Sequence, residues 1–244
     1  MHIFKKIKER AAFCGKTFMK PILTPRLQCI ADMIENRETV ADIGTDHAYL
    51  PIFLISENKC KKCIAADVAT GPLSRAEKYI EKHLGKTDRI ETVLSDGLKN
   101  INENCDVITV AGMGGETIAQ ILEANPLPVG QTVILQPMSK AEELRKFLYN
   151  NNFFIEDEVA VSEDRRIYSV IRAVKSEQIQ PTEAVEIYIS APLLAKKDSD
   201  AVKYKEKVLR AVKKRLNGLE KAENKDEESI AEQRKICERL EKEI

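Results

Sequence analysis

The chain has no surplus of charge: 39 Lys and Arg face 39 Asp and Glu over 244 residues, giving a formal +0 and a pI of about 6.9. Overall charge therefore gives no evidence for a nucleic-acid partner, and only local clustering can supply one. No apolar run approaches the roughly 20 residues of a membrane span, so no membrane partner is expected. The first twenty residues are basic. They lack the continuous apolar core and small-residue cleavage site of a secretory signal. The six cysteines (Cys14, Cys29, Cys60, Cys63, Cys105 and Cys237) are scattered. Cys60 and Cys63 have zinc-like spacing, but no second pair or nearby His completes a site. No metal is expected, and the cysteines read as reduced thiols of a cytoplasmic protein. The three-glycine fingerprint of dinucleotide enzymes is missing too.

What is present centres on residues 40–51. Val40, Ala41 and Ile43 surround Asp42 in a short buried strand, Gly44 makes a tight turn, and a polar cluster follows where a helix should begin. This arrangement grips a nucleotide-like ligand at the carboxyl edge of a parallel sheet. A pyrophosphate there would meet the carboxylate of Asp46, and like charges repel. The stretch suits a nucleoside without phosphates that carries a cation, as S-adenosylmethionine does. Taken alone it also fits an ordinary strand-to-loop turn.

Around it the chain alternates strands and helices. Thr24-Pro25 opens a helix with Leu27, Ile30, Ala31 and Ile34 inward. Arg26 sits in its first turn, a poor place for a cation without an anionic partner, which makes it a candidate for ligand or phosphate contact. Residues 63–68 form a second strand. It ends in Asp67, roughly 20 residues after the turn, the spacing of a ribose-binding acid; the alternative is a helix cap. A third strand, 89–94, ends in Asp96-Gly97. The acid can accept from an adenine amine, while Asp-Gly is also plain turn chemistry. A fourth strand, 106–110, runs into Ala111-Gly112-Met113-Gly114-Gly115, whose glycines permit close approach of a planar ring. The fifth, 131–135, ends in Gln136-Pro137-Met138, followed by a helix over 142–149 with Leu144, Phe147 and Leu148 inward. Runs 153–161 and 166–174 read as a β-hairpin. Five βα units closed by an antiparallel hairpin look like the class I methyltransferase sheet, a mostly parallel Rossmann-like α/β fold.

Four parts are expected: a basic N-terminal extension over 1–23, the Rossmann-like domain over 24–175, a linker over 176–200, and helices over 201–244. In the last part Val202, Leu209 and Leu216 repeat every seven residues. A second stripe carries Ile230, Cys237 and Ile244, so the pair reads as a small antiparallel coiled coil. Asn217-Gly218 is a place for the first helix to end or bend. Nine basic residues against three acidic ones over 196–215 could track a phosphate backbone, or simply be a solvated face.

Asp42-Ile43-Gly44-Thr45-Asp46-His47-Ala48-Tyr49-Leu50-Pro51, Ala111-Gly112-Met113-Gly114-Gly115 and Leu135-Gln136-Pro137-Met138 together resemble the bacterial tRNA (adenine(22)-N(1))-methyltransferase family. The resemblance runs from about residue 24 to the end, and the basic extension before it departs from the pattern. It implies a class I fold, S-adenosylmethionine as methyl donor and tRNA as substrate. It sets the donor against Gly44 and Asp46, the ribose at Asp67 and the adenine at Asp96-Gly97. The wall facing the methyl is then Ala111 to Gly114. Arg26, Asp42, Thr45, Val68 and Met113 complete the expected donor-binding set.

The attacking adenine N(1) has its own lone pair, so no covalent enzyme nucleophile is needed and positioning supplies most of the rate. Asp46 and the carbonyls near Gly112 are candidates to stabilise the cationic product. His47 is a candidate to take a proton or hold the base. Tyr49 could stack on the base or simply be a core residue. No Asn/Asp-Pro-Pro-aromatic run follows the fourth strand, unlike in exocyclic-amine methylases. Met113 and Met138 stand where a cytosine-C5 methylase needs Cys. The expected enzyme is a monomer. A methyltransferase acting on another RNA or a small molecule, and a non-catalytic RNA-binding module, are the competing readings.

Overall fold

A computed structural model describes residues 20–101, 104–178, 182–222, 224 and 226–244. The basic stretch 1–19, with Cys14, lies outside them. The elements in order are α1 (Pro25–Asp32), β1 (Arg37–Ile43), α2 (Tyr49–Ser56), β2 (Cys60–Asp67), α3 (Thr70–Leu84), β3 (Ile90–Leu94), β4 (Val107–Gly114), α4 (Gly115–Glu123), β5 (Thr132–Ser139), α5 (Ala141–Asn150), β6 (Phe153–Glu163) and β7 (Arg166–Lys175). A 3-10 turn (Ala184–Ile187), α6 (Ala191–Ala195), α7 (Ser199–Lys221) and α8 (Glu227–Glu241) complete the chain.

The seven strands form one sheet, ordered β3-β2-β1-β4-β5-β7-β6. β1 to β5 pair in parallel, while β7 runs antiparallel to both β5 and β6. Strand alternation sends side chains to opposite faces. Val40, Val107, Ile134 and Val170 pack with α1, α2 and α3, whereas Ala41, Ile108, Val133 and Ile171 pack with α4 and α5. Leu50 to Ile55 are all buried, so α2 is apolar around its whole circumference. At eight residues it is too short to stand alone, and tertiary burial holds it.

The order of strands reverses at β1, which has β2 on one side and β4 on the other. That switch point opens a crevice at the carboxyl ends of these strands. Gly44 N and Thr45 N both donate to Ala66 O, at 2.8 and 3.0 Å, and Ser95 N donates to Asp67 O at 2.9 Å. The tips of β1, β2 and β3 are thus tied into one rim.

The C-terminal region differs from the expected layout in two ways. Within 176–200, read as a linker, Val185, Ile189, Leu193 and Leu194 are buried with Ala160, Ala201 and Tyr204. Their apolar spacing is too short to announce a helix, yet they form the cushion between sheet and helical pair. α7 also runs through Gly218 to Lys221. Gly218 faces open space, so its cost is the roughly 1 kcal/mol of a helical glycine and the helix absorbs it. α7 and α8 are antiparallel, with Lys213 paired to Glu241 at 2.6 Å and Arg234 to Glu220 at 2.6 Å. Because α7 also packs on β6 and β7, its most buried residues are Ala201, Tyr204, Lys205 and Val212, while Leu209 and Leu216 of the expected stripe are partly buried against the same cluster. Ile244 is exposed.

Beneath that region lies a buried ion pair. Arg145 of α5 and Glu158 of β6 are both fully buried. The guanidinium contacts both carboxylate oxygens, with Nε to Oε2 at 3.0 Å. It also donates to Tyr188 O and Tyr204 Oη at 2.9 Å each and to Ser169 Oγ at 3.3 Å. One side chain thus ties the sheet to both following segments.

Candidate functional site at the carboxyl edge of the sheet

A cleft of about 410 Å³ opens where the strand order reverses. Its walls are Ile43 and Gly44 at the end of β1, Asp67 and Val68 at the end of β2, Ser95 to Gly97 after β3, Met113 of β4, and Thr117 and Ile121 of α4. Of the expected donor-binding residues, Gly44, Asp67, Val68, Asp96, Gly97 and Met113 meet there.

The wall has a distinct chemistry. Val68 is 68% exposed, an apolar side chain standing in the open beside two carboxylates. Asp67 Oδ1 accepts from Ala69 N at 3.0 Å, closing a turn just before α3; the N-cap of α3 is Ala69 and no side chain caps it, so Asp67 is not the helix cap. Asp96 pairs with Lys99 at 2.5 Å. The buried Ser95 organises the turn, donating to Gly97 O at 2.8 Å and accepting from Asn100 N at 3.1 Å. Gly44 adopts φ +78°, and a Cβ there would lie 2.3 Å from Met113 Cε. The backbone conformation is what calls for glycine; the Met113 methyl is the far end of a flexible side chain and could move aside.

The glycine segment after β4 is not a loop. β4 extends to Gly114 and pairs with β5 through two register shifts. Its glycines divide the work expected of them together. Gly112, at φ +77°, has no atom within 4 Å of where a Cβ would stand, and presents bare backbone. A Cβ on Gly115 would meet Lys140 O at 2.2 Å, so that residue serves the close approach of α4 to the β5–α5 turn.

Other expected residues lie elsewhere. Asp42 is buried within β1, where Thr109 Oγ1 donates to it at 2.8 Å. Burial raises the carboxyl above its usual range, and the hydrogen bond offsets part of that. Thr45 is buried behind the turn. Asp46, expected to face the cation of the donor, pairs with Arg75 at 2.6 Å, with His47 Nε2 at 3.5 Å. Its backbone is left-handed, φ 47°, as is that of Ala48, φ 55°. That pair of strained residues turns the carboxylate towards α3. His47 packs on Tyr49 and Tyr79, with ring centroids 5.4 and 5.3 Å away. Arg26 finds its anion inside the chain, pairing with Glu163 at 2.7 Å. Ala111 is partly buried against the core under the rim.

Sequence reasoning missed Arg75 and Glu163, and it singled out Gln136 only as part of a strand-end string, with no role of its own. Gln136 is buried, and its Oε1 accepts from Gly112 N at 3.2 Å and from Arg26 Nη1 at 3.0 Å. A second cleft, about 490 Å³, lies between the β5–α5 turn, β7 and α7, bordered by Met138, Lys140, Tyr188, Lys207 and Arg215. Among the described residues no three His, Cys, Asp or Glu side chains gather as a metal site, and no helix is long and apolar enough to cross a membrane.

The "Methyltransferase domain" family model matches residues 23–171. The tRNA (adenine(22)-N(1))-methyltransferase of Bacillus subtilis (strain 168) is 37% identical over 180 residues, 71% of this chain and 75% of that one. The chain belongs to the tRNA (adenine(22)-N(1))-methyltransferase family. Solved structures agree with this methyltransferase over most of its length. The B. subtilis tRNA methyltransferase TrmK superposes with a TM-score of 0.78 at 30% identity, covering 91% of this chain and 99% of that one. M. capricolum TrmK in complex with S-adenosyl-homocysteine gives 0.75 at 31%, covering 91% and 97%. The exposed Val68 and the Asp67 carboxylate stand on the wall of the switch-point cleft, and Lys99, the one basic residue lining it, is paired with Asp96.

Proposed function

We propose that this methyltransferase transfers the methyl group of S-adenosylmethionine to N(1) of an adenine in tRNA, adenine 22 by family. The observation that carries the reading is the bare Gly112 backbone beside a phosphate-free nucleoside cleft in a chain of this family. When bound, the donor supplies an electrophilic methyl on a sulfonium.

The residues divide as follows. Asp67 holds ribose hydroxyls, Val68 and Ile121 flank the adenine, and the Ser95–Gly97 turn meets its edge. Met113 and Gly44 face the sulfonium end. The target adenine reaches Gly112, where the missing side chain leaves room for a ring and the carbonyls of Ala111 and Gly112 favour the cation that develops. N(1) carries its own lone pair, so no residue has to remove a proton before attack. It lies on the Watson–Crick edge, so the base must first leave its pair or stack. The second cleft, with Tyr188, Lys207 and Arg215 close to Met138, suits neighbouring nucleotides through stacking and phosphate contact. Asp46, paired with Arg75, shapes the turn. The enzyme works as a monomer in the cytoplasm; none of its described cysteines is in a disulfide, which fits a reducing compartment.

The test is to incubate the purified chain with unmodified tRNA and labelled donor, then map the label. Methylation at adenine 22, lost when that base is replaced by guanine, is the expected result. Label on no adenine refutes the reading.

A further inference from the structure

Arg26 stands in the first turn of α1, where a cation opposes the helix dipole. Its surroundings offset that cost within the protein. Nη2 pairs with Glu163 Oε1 at 2.7 Å, its backbone N donates to Glu163 Oε2 at 3.1 Å, and the guanidinium carbon lies 4.7 Å above the Tyr168 ring. The Arg26 pairing holds the Glu163 carboxyl below its usual range even though partial burial works the other way. With Nη2 on Glu163 and its face on Tyr168, the guanidinium turns Nη1 towards the end of β5, where it donates to Gln136 Oε1 at 3.0 Å and contacts Met138 Sδ at 2.6 Å; Nε is buried with no partner among the described residues.

Gln136 is buried in the second half of β5, and both ends of its amide are engaged. Nε2 donates to Pro137 O at 2.9 Å, while Oε1 accepts from both Arg26 and Gly112 N. Two donors meeting at one atom fix which end is oxygen. The Gly112 N–H is thus held from behind, at a residue with φ +77° and a strand with register shifts on either side of Met113. Without that acceptor a glycine in a bulged strand has the widest choice of conformations of any residue.

We infer that Arg26 is a positioning residue for methyl transfer: clamped by Glu163 and Tyr168, it orients Gln136, which locks the Gly112 backbone against which the acceptor base is placed. The inference rests on the reaction proposed above. It assigns Arg26 neither to the donor nor to RNA phosphate. Arg26 is not among the residues that wall the donor cleft.

The experiment compares the full-length wild type with Arg26→Gln, Arg26→Lys and Glu163→Gln. Expected for Arg26→Gln is a fall in kcat of about tenfold, because small misplacements of an acceptor cost rate rather than affinity. Donor affinity by calorimetry and KM for tRNA stay within about twofold. NMR exchange of the Gly112 amide quickens in the same variant. Arg26→Lys recovers part of the rate, since an ammonium reaches one partner but not the whole fork. Glu163→Gln, which keeps shape and hydrogen bonding, gives a smaller change of the same kind and covers the case in which Arg26→Gln folds poorly. A parallel loss of donor affinity would make Arg26 a donor ligand and overturn the inference. A raised KM for tRNA at unchanged kcat would make it an RNA contact and overturn the inference equally, as would unaltered Gly112 exchange. If the wild type fails to methylate tRNA, the proposed function falls, while amide exchange still reads the Arg26–Gln136–Gly112 link.

Discussion

Arg145 lies in the interior with each of its three guanidinium nitrogens answered by a carboxylate, a hydroxyl or a carbonyl. Asp46 lies at the sheet edge, 57% exposed, with its ion pair to Arg75 open to water. The two regions use the same charged residue types for opposite ends. At the junction under the helical pair, desolvation makes an unmet charged donor expensive, and every nitrogen of the Arg145 guanidinium is met, while the neutral hydroxyls of Tyr149 and Ser190 are buried without a partner among the described residues. At the carboxyl edge, Val68, Asp67 and Gly112 present apolar surface, carboxylate oxygen and bare backbone that the described residues leave open. Closure marks the place that holds the molecule together, and deliberate incompleteness marks the place that binds.

The sharpest way to break this contrast is to open the closed region. Arg145→Met leaves Glu158 buried without its partner and should cost about 3–5 kcal/mol in chemical denaturation. The double variant Arg145→Met/Glu158→Leu should recover much of it, because removing both charges removes the desolvation penalty as well. Loss in the double variant as large as in the single one would mean the pair stabilises by attraction. The pair also sets a pH signature. Burial pushes Glu158 up, but Arg145 prevails and holds it below the ordinary carboxylate value. A depressed folded value gives stability that is complete above the unfolded pKa and is lost as pH falls through the folded one. Wild type should therefore lose stability in acid more steeply than the double variant, in denaturation midpoints measured from about pH 6 down to about pH 3.

At the open edge the same size of change should strike function first. Gly112→Ala meets no atom, but φ +77° costs a residue with a Cβ about 1–2 kcal/mol. Relief of that strain moves the rim, so methyl transfer should fall about tenfold or more, with donor affinity nearly unchanged. Equal losses of stability and rate would erase the distinction between the two regions. Val68→Asp is milder. An exposed position should change stability by no more than about 0.5 kcal/mol. Donor affinity, read by calorimetry, should drop about tenfold, through lost apolar contact and a third carboxylate beside Asp67 and Asp96.

The two regions also differ in how far the sequence foretells them. The parallel strands, the switch-point glycine and the acids at strand ends are local signals: Gly44, Asp67 and Asp96-Gly97 reach one cleft as their spacing indicates. Asp46 escapes that reading because two consecutive turns with left-handed residues rotate it towards Arg75, and nothing in the composition of the segment declares that rotation. Arg145 falls on the face of α5 that carries Leu148 and Tyr149, three and four residues on. A charge there asks for a buried partner. Glu158 does not volunteer as one, because strict alternation from Phe153 and Ile155 points it outward. A register shift between Ile155 and Asp157 reverses the alternation and turns Glu158 in. Arg26 is half legible: the need for an anion follows from its place in the helix, but the anion comes from Glu163, distant in sequence.

The smallest effect separates the two regions from the surface that belongs to neither. Gly218 is an exposed helical residue with open space where its Cβ would be. Alanine there removes backbone freedom from the unfolded chain and needs no rearrangement in the folded one. Gly218→Ala should stabilise the protein by about 0.5–1 kcal/mol. Its methylation rate should match wild type if α7 is a rigid strut whose middle takes no part in turnover. A slower enzyme with a higher melting temperature would show instead that α7 must flex for tRNA to settle in the second cleft. The helical pair would then belong with the open edge rather than with the closed junction beneath it.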